Sequence, residues 1–191
     1  MSSSPVFAAP GEMPSSFNRW DIPVKMGLLI GIISVLLNTV SFMYIMPASY
    51  VGFLVAMAAI FILCVVLYGF TAAKQRRAMG GYITLKEAFA AIFVAILISC
   101  FISTVWGLIY AKLIDPQLME KIKESTITFM EGLKMPQDKL DAQIEKIDKE
   151  ITNSTQPAQL LLSFGKTLIM HSIFGFICAA IVRRTPKQEM R

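Results

Sequence analysis

The amino-acid sequence predicts an all-α, polytopic membrane protein with four transmembrane helices and a charged helical hairpin, outside the cytoplasm, between the third and the fourth. The chain of 191 residues is 55% hydrophobic and only 16% charged, whereas soluble proteins average about 25% charged residues. The apolar residues are gathered into long blocks, and residues 88–110 contain no charged residue. At about 1.5 Å per residue, a helix of that length crosses a hydrocarbon core of roughly 30 Å.

The first two blocks predict a pair of neighbouring membrane helices. Residues 1–18 are rich in serine, proline and glycine, so they are predicted to form a disordered tail. The first helix is predicted at residues 26–46, where the small residues Gly27 and Gly31 lie four apart and allow another helix to approach closely. A short segment separates it from the second helix, at residues 51–70, so the two are expected to be antiparallel neighbours.

The third helix is predicted at residues 85–111, with signals at both ends. Thr84 precedes Glu87 by three residues, the spacing of a capping box. Asp115 stands before a proline, which disfavours helical backbone at that residue. Small residues recur at every fourth position and predict a groove that receives another helix. They are Ala91, Ala95, Ser99, Ser103, Gly107 and Ala111.

Residues 112–158 are predicted to form the helical hairpin. The segment holds seven lysines and nine acidic residues, and apolar side chains recur in it at helical spacing on either side of a break at Gly132 and Pro136. The predicted apolar seam between the two arms consists of Leu118, Ile122, Phe129 and Leu133 in the first arm and Leu140, Ile144, Ile147 and Ile151 in the second. The pattern leaves open whether the hairpin stands away from the membrane or lies on it.

The fourth helix is predicted at residues 159–182, followed by a basic cytoplasmic tail at residues 183–191. Small or polar residues, including His171 and Gly175, recur at every fourth position and are predicted to pack in the groove of the third helix, with a serine hydroxyl of that groove near the imidazole. Lys166 is the only charged residue inside an apolar block. Ionisable groups at membrane depth often mark a transport route, so Lys166 and His171 support an alternative function in transport. However, five residues turn a helix through about 500°, which places these two side chains about 140° apart.

The distribution of basic residues predicts the orientation. Lysine and arginine concentrate before the first helix, between the second and third, and after the fourth, whereas the loop between the first and second has none. By the positive-inside rule, both termini are cytoplasmic and the hairpin is outside. The basic residues on the cytoplasmic side are Arg19, Lys25, Lys74, Arg76, Arg77, Lys86, Arg183, Arg184, Lys187 and Arg191.

Several classes of function lack their sequence signals. The chain has no glycine-rich phosphate loop and no HExxH, CxxC or GxSxG motif, so it is not expected to be an enzyme, and no catalytic residue, metal or cofactor is predicted. Cys64, Cys100 and Cys178 lie in apolar blocks, which argues against a disulfide framework. The net charge of +5 comes from cations beside those blocks, so the expected partner is the lipid bilayer and not nucleic acid.

The sequence GGYITLKEAF at residues 80–89 and the IDP at residues 114–116 resemble a family of small bacterial membrane proteins known as domain of unknown function 4199, found mainly in Bacteroidota. The resemblance covers residues 22–184. It implies a location in the bacterial inner membrane and carries no assigned activity.

The sequence therefore favours a structural or interaction protein. Charged helical hairpins with an apolar seam commonly make protein contacts, so the hairpin is expected to bind a partner or a second copy while the four helices hold it at the membrane. A small transporter or channel subunit, using polar groups of the third and fourth helices, is the alternative.

Overall fold

The computed structural model describes residues 18–134, 136–153 and 157–184. Within these ranges every regular element is a helix, which confirms the all-α prediction. The helices are α1 (Asp21–Ala48), α2 (Tyr50–Ala78), α3 (Leu85–Ile114), α4 (Leu118–Gly132), α5 (Gln137–Asn153) and α6 (Pro157–Val182). Most of the tail predicted at residues 1–18, and residues 185–191 of the basic tail, lie outside the described residues.

Four of these helices have the length and composition of membrane spans. The mean hydropathy is 2.2 in α1, 2.8 in α2, 2.6 in α3 and 1.7 in α6. Each exceeds the roughly 20 residues that a bilayer core requires. The described part of the chain thus contains the four candidate spans that the sequence predicts.

The helices run further than the apolar blocks that predict them. Helix α1 starts before residue 26, because Pro23 falls in the first turn, where its missing N–H leaves no hydrogen bond unmade. It also passes through a π-helical turn at Ser41–Ile45 and includes Pro47, so only Ser49 separates it from α2. Helix α2 continues past residue 70 into the cationic cluster, since lysine, arginine and glutamine are good helix formers.

The start of α3 has the predicted capping box. The Thr84 hydroxyl accepts a hydrogen bond from the backbone N–H of Glu87 at 3.3 Å, and the Glu87 carboxylate accepts one from the backbone N–H of Thr84 at 3.0 Å. Gly80 and Gly81 precede it with φ of +77° and +93°, a backbone conformation that residues with a Cβ rarely adopt. This turn ends α2 and redirects the chain into α3.

Helix α3 is the centre of the bundle and packs against α1, α2 and α6. The main core lies along it and is built largely from buried Ile92, Ile96 and small residues of α3, with Ile30 of α1 and Tyr68 of α2. A second, smaller core forms where α3 leads into α4 and contains buried Met46, Phe53, Tyr110 and Leu118. The fold therefore has one core inside the bundle and one at the end that carries α4.

Candidate functional site

The most extensive helix contact among the described residues joins α1 to α3. A Cβ added at Gly27 would lie 3.0 Å from both the Cα and the carbonyl oxygen of Ala95, and one added at Gly31 would lie 2.8 Å from Cδ1 of Ile102. A distance of 2.8 Å is one that real Cβ atoms essentially never show, and at 3.0 Å the neighbouring atoms must move by a few tenths of an ångström. At Gly27 those neighbours include backbone atoms. The two glycines therefore let the backbones of α1 and α3 touch, as small residues do in membrane helix pairs.

The predicted groove of α3 faces α1 and α2. Ala91 and Ala95 are buried, and Ala95 lies against Gly27. The Ser99 hydroxyl donates to the carbonyl oxygen of Ile96 at 3.0 Å and therefore accepts from the phenolic O–H of Tyr68 at 2.7 Å. Both polar groups are satisfied inside the core, as buried hydroxyls require.

Two details of the predicted groove are wrong. Gly107 is exposed, and a Cβ added there would meet no atom within 4 Å, so it packs against no helix. Helix α6 does not lie in the groove either, because a Cβ added at Gly175 would meet Ile92 and Ile96, on another side of α3. Alanine and glycine at helical spacing mark where helices can approach; they do not determine which helix does so.

The imidazole of His171 lies among aromatic rings and not beside the serines of α3. Its ring centroid is 4.9 Å from that of Phe61 and 5.9 Å from that of Tyr68, and Nδ1 is 2.9 Å from the Thr167 carbonyl oxygen. The expected contact with Ser99 is wrong, because the Ser99 hydroxyl is already paired with Tyr68. The other serine of the predicted groove, Ser103, is half-buried on α3. Lys166 is exposed on α6, so the structure does not bring it together with His171.

Helix α4 is attached to the end of the bundle. Leu118 is only 3% exposed and packs with Met46, Phe53 and Tyr110. Further along, the Thr126 hydroxyl donates to the Ile122 carbonyl oxygen at 2.7 Å and accepts from the Tyr50 O–H at 2.8 Å. The rings of Tyr50 and Phe129 lie 5.6 Å apart. Leu118, Ile122 and Phe129, which the sequence assigns to a seam with the second arm, thus lie against the end of the bundle.

Helix α5 packs on α4. Leu140 is buried, while Ile144, Ile147 and Ile151 are partly buried. The prediction for Leu133 is wrong: it is 59% exposed, because α4 ends at Gly132 and the chain turns away from the apolar face. The apolar spacing therefore extended the first arm of the hairpin one residue beyond the end of α4.

Among the described residues, one ion pair joins α4 to α5. Lys123 Nζ lies 2.6 Å from a carboxylate oxygen of Asp148, and this hydrogen bond raises the pKa of Lys123. On the outer face of α5, Lys149 bonds Glu145 at 2.6 Å and lowers the pKa of Glu145. Such pairs of exposed groups contribute little stability, so the apolar contacts hold α5 in place and the charges define its surface.

The opposite end of the bundle contains polar contacts between distant parts of the chain. Arg76 donates to the carbonyl oxygen of Val182, the last residue of α6, at 3.1 Å. Ile83 and Arg184 exchange two backbone hydrogen bonds of 3.0 Å. Gln75, in α2, donates to the carbonyl oxygen of Arg19, before α1, at 3.0 Å. These contacts join the loop between α2 and α3 to the start of α1 and the end of α6.

The sequence profile of a family described as "Protein of unknown function (DUF4199)" matches residues 25–184. The chain belongs to the DUF4199 family. The match confirms the resemblance seen in the GGYIT entry to α3 and its IDP exit, and it spans all four candidate membrane helices together with α4 and α5. No curated protein and no solved structure matches the chain.

In this DUF4199 member, sequence reasoning missed Tyr68, Tyr50, Gln75 and Arg76. Tyr68 and Tyr50 resemble any aromatic residue of a membrane helix until their hydroxyls are seen to bond Ser99 and Thr126. Gln75 and Arg76 lie in the basic run from Lys74 to Arg77, which the sequence analysis used only to predict the orientation in the membrane. No group of three or more metal-ligating side chains occurs in residues 18–134, 136–153 and 157–184.

Proposed function

We propose that this DUF4199 protein is a non-enzymatic interaction protein of the bacterial inner membrane, with both termini in the cytoplasm and the α4–α5 pair outside as a binding surface for a partner protein or a second copy. The observation that carries the proposal is the attachment of α4 to the bundle. Leu118 is buried between α1, α2 and α3, and Tyr50 holds the middle of α4 by a hydrogen bond and a ring contact.

This attachment supports a binding role because it positions α5 at a defined place. Helix α5 packs its apolar positions on α4 and turns a mixed set of charged side chains outward. A rigidly held helix loses little conformational freedom when a partner binds, and this favours affinity. The exposed charged residues of α5 include Asp138, Lys139, Asp141, Glu145, Lys146 and Lys149.

The transport alternative has weaker support. Lys166 is exposed on α6, and His171 lies between aromatic rings of α2. A proton or ion route would need polar groups in sequence along one path. The buried hydroxyls of Ser99 and Tyr68 instead satisfy each other.

The topology can be tested with two variants that each add one cysteine at an exposed position, Ala142→Cys in α5 and Tyr82→Cys in the loop between α2 and α3. In spheroplasts, a membrane-impermeant maleimide is expected to label the first variant and to reach the second only after the membrane is permeabilised. The parent chain is the background control, and it measures any labelling of buried Cys64 and Cys100 and of partly buried Cys178. Labelling of Tyr82→Cys in intact spheroplasts, without labelling of Ala142→Cys, would reverse the orientation.

The interaction itself can be tested by placing a photo-crosslinking amino acid at Lys146, which is exposed on α5. Irradiation of cells is expected to give a discrete adduct, and its mass distinguishes a second copy from another polypeptide. The same amino acid at Tyr82, which is exposed at the other end of the bundle, is the control. The proposal fails if Lys146 and the other exposed positions of α5 give no discrete adduct, or only the adducts seen from Tyr82.

A further inference from the structure

One face of α6 carries polar side chains in the half of the helix that follows α5. Ser163, Lys166 and Thr167 are exposed there and lie within about one helical turn of each other. Lys166 precedes Gly175, which packs on α3, by nine residues. Nine residues turn a helix through about 900°, so Lys166 lies about 180° from that packing position. The polar face is therefore directed away from the bundle, and nothing in the proposed function uses it.

Lys166 lies inside the candidate span and not at its end. It follows Pro157, the first residue of α6, by nine residues, which is about 14 Å along the helix. Its neighbours on the same side are apolar and exposed, at 52% for Leu162, 62% for Ile169 and 51% for Met170. An ionised group among lipid-facing apolar side chains is costly, and charged residues in membrane helices almost always pair with one another or line a polar path. Lys166 therefore calls for a counter-charge.

The chain itself supplies no such counter-charge. Within the described residues Lys166 forms no ion pair. The acidic residues of the four candidate spans are Asp21 and Glu87, and both lie in first turns at the opposite end of the bundle. A carboxylate at the depth of Lys166 must therefore come from another molecule.

A second copy of the chain does not meet this requirement. Two copies inserted in the same direction in one bilayer are related by a two-fold axis along the membrane normal. Two α6 helices that met through this face would bring Lys166 of each copy together at the same depth. Like charges repel strongly where the dielectric constant is low. The face is therefore suited to a different protein.

We propose that this face of α6 binds a transmembrane helix of another membrane protein, and that an aspartate or glutamate within that helix pairs with Lys166. The small side chains of Ser163 and Thr167 beside the lysine allow the second helix to approach closely, as small residues do in membrane helix contacts. The Thr167 hydroxyl donates to the Ser163 carbonyl oxygen at 3.0 Å, so it needs no acceptor from the partner. This contact is separate from the α4–α5 surface and does not depend on it.

The test places a photo-crosslinking amino acid in the full chain at Met170, which is exposed about one turn from Lys166 on the same side of α6. The matched control position is Ile62, which is exposed on α2 at a similar depth, because the rings of Phe61 and His171 are in contact. Irradiation of cells is expected to give a discrete adduct from Met170 and none from Ile62. Its mass is expected to differ from that of two copies of the chain, and mass spectrometry of the adduct identifies the partner.

Substitutions at Lys166 test the role of its charge in the chain that carries the cross-linker at Met170. Lys166→Gln is expected to lower the adduct yield per chain about tenfold, the effect of losing one charge-assisted hydrogen bond. Lys166→Arg keeps the charge and is expected to change the yield less than twofold. Replacing the carboxylate in the partner's helix with lysine is expected to abolish the adduct, and Lys166→Glu is then expected to restore it.

Four results would overturn the proposal. An adduct with the mass of two copies would mean that the face mediates self-association. No adduct from Met170, or equal adducts from Met170 and Ile62, would mean that lipid covers the face. An unchanged yield in Lys166→Gln would mean that the ammonium extends to lipid headgroups, as lysine side chains near a membrane surface do. A partner without an aspartate or glutamate in its membrane segments would exclude the proposed ion pair.

Discussion

Replacing Leu118 with alanine is expected to release α4 from the end of the bundle. The side chain is buried among Met46, Phe53 and Tyr110, and truncating a buried leucine typically costs about 2–5 kcal/mol through lost apolar contacts and the cavity that remains. We expect the backbone amides of α4 to exchange with deuterium much faster in Leu118→Ala, while those of α3 stay protected. This change would also abolish the cross-linking expected from α5.

Leu133→Ala is the matched control for that experiment. It makes the same truncation just past the other end of α4, where the side chain is 59% exposed, so hydrogen exchange in α4 is expected to remain as in the parent. If the α4 backbone amides exchange at the same rate in both variants, the packing of Leu118 on Met46, Phe53 and Tyr110 does not hold α4 in place. The proposed binding surface then lacks the rigid attachment on which it depends.

Replacing Gly27 with alanine is expected to lower the thermal stability of the bundle. In Gly27→Ala the new methyl group would lie 3.0 Å from the backbone of Ala95, so α1 and α3 must move apart. Overpacking of this kind typically costs about 1–3 kcal/mol. Thermal unfolding in detergent can be followed with a maleimide dye that becomes fluorescent on reaction with Cys64 and Cys100, which are buried in the folded bundle. The transition is expected at a clearly lower temperature than in the parent chain.

Gly107→Ala makes the same chemical change on the open side of α3, where an added Cβ meets no atom within 4 Å. Because alanine is a better helix former than glycine, this variant is expected to be as stable as the parent or slightly more stable. If Gly27→Ala and Gly107→Ala lower the unfolding temperature equally, the close contact between α1 and α3 does not limit the stability of the bundle.

The four candidate membrane helices and the two ends of α3 were predictable because their signals are local. Uncharged runs, the Thr84–Glu87 spacing and the residue before Pro116 each act on the backbone within a few positions. Helix pairing was only partly predictable. The pattern at Gly27 and Gly31 identifies a packing face, but the neighbour of each face depends on how all four helices fit together, and α6 therefore lies against Ile92 and not in the expected groove.

The interactions of α4, and the contact of Gln75 with Arg19 at the opposite end of the bundle, could not be predicted from the sequence for a related reason. Apolar residues at helical spacing predict that a helix buries one face; they do not say whether that face meets its neighbour along the chain or the end of a bundle. Leu118 and Phe129 fit either arrangement until Tyr50 and Phe53 are placed beside them. Gln75 has no distinguishing neighbour in sequence, since its partner Arg19 is far away along the chain.

The backbone bridge between Ile83 and Arg184 has a consequence for the order in which the protein is made. Ile83 is synthesised before α3, whereas Arg184 leaves the ribosome only after α6 is complete, so the bridge can close only after α6 has been made. Helices α1, α2 and α3 can therefore associate before α6 arrives, and the close contact through Gly27 lies entirely within that early group. Because the bridge uses main-chain groups, it can close whatever side chains, other than proline, occupy its two positions.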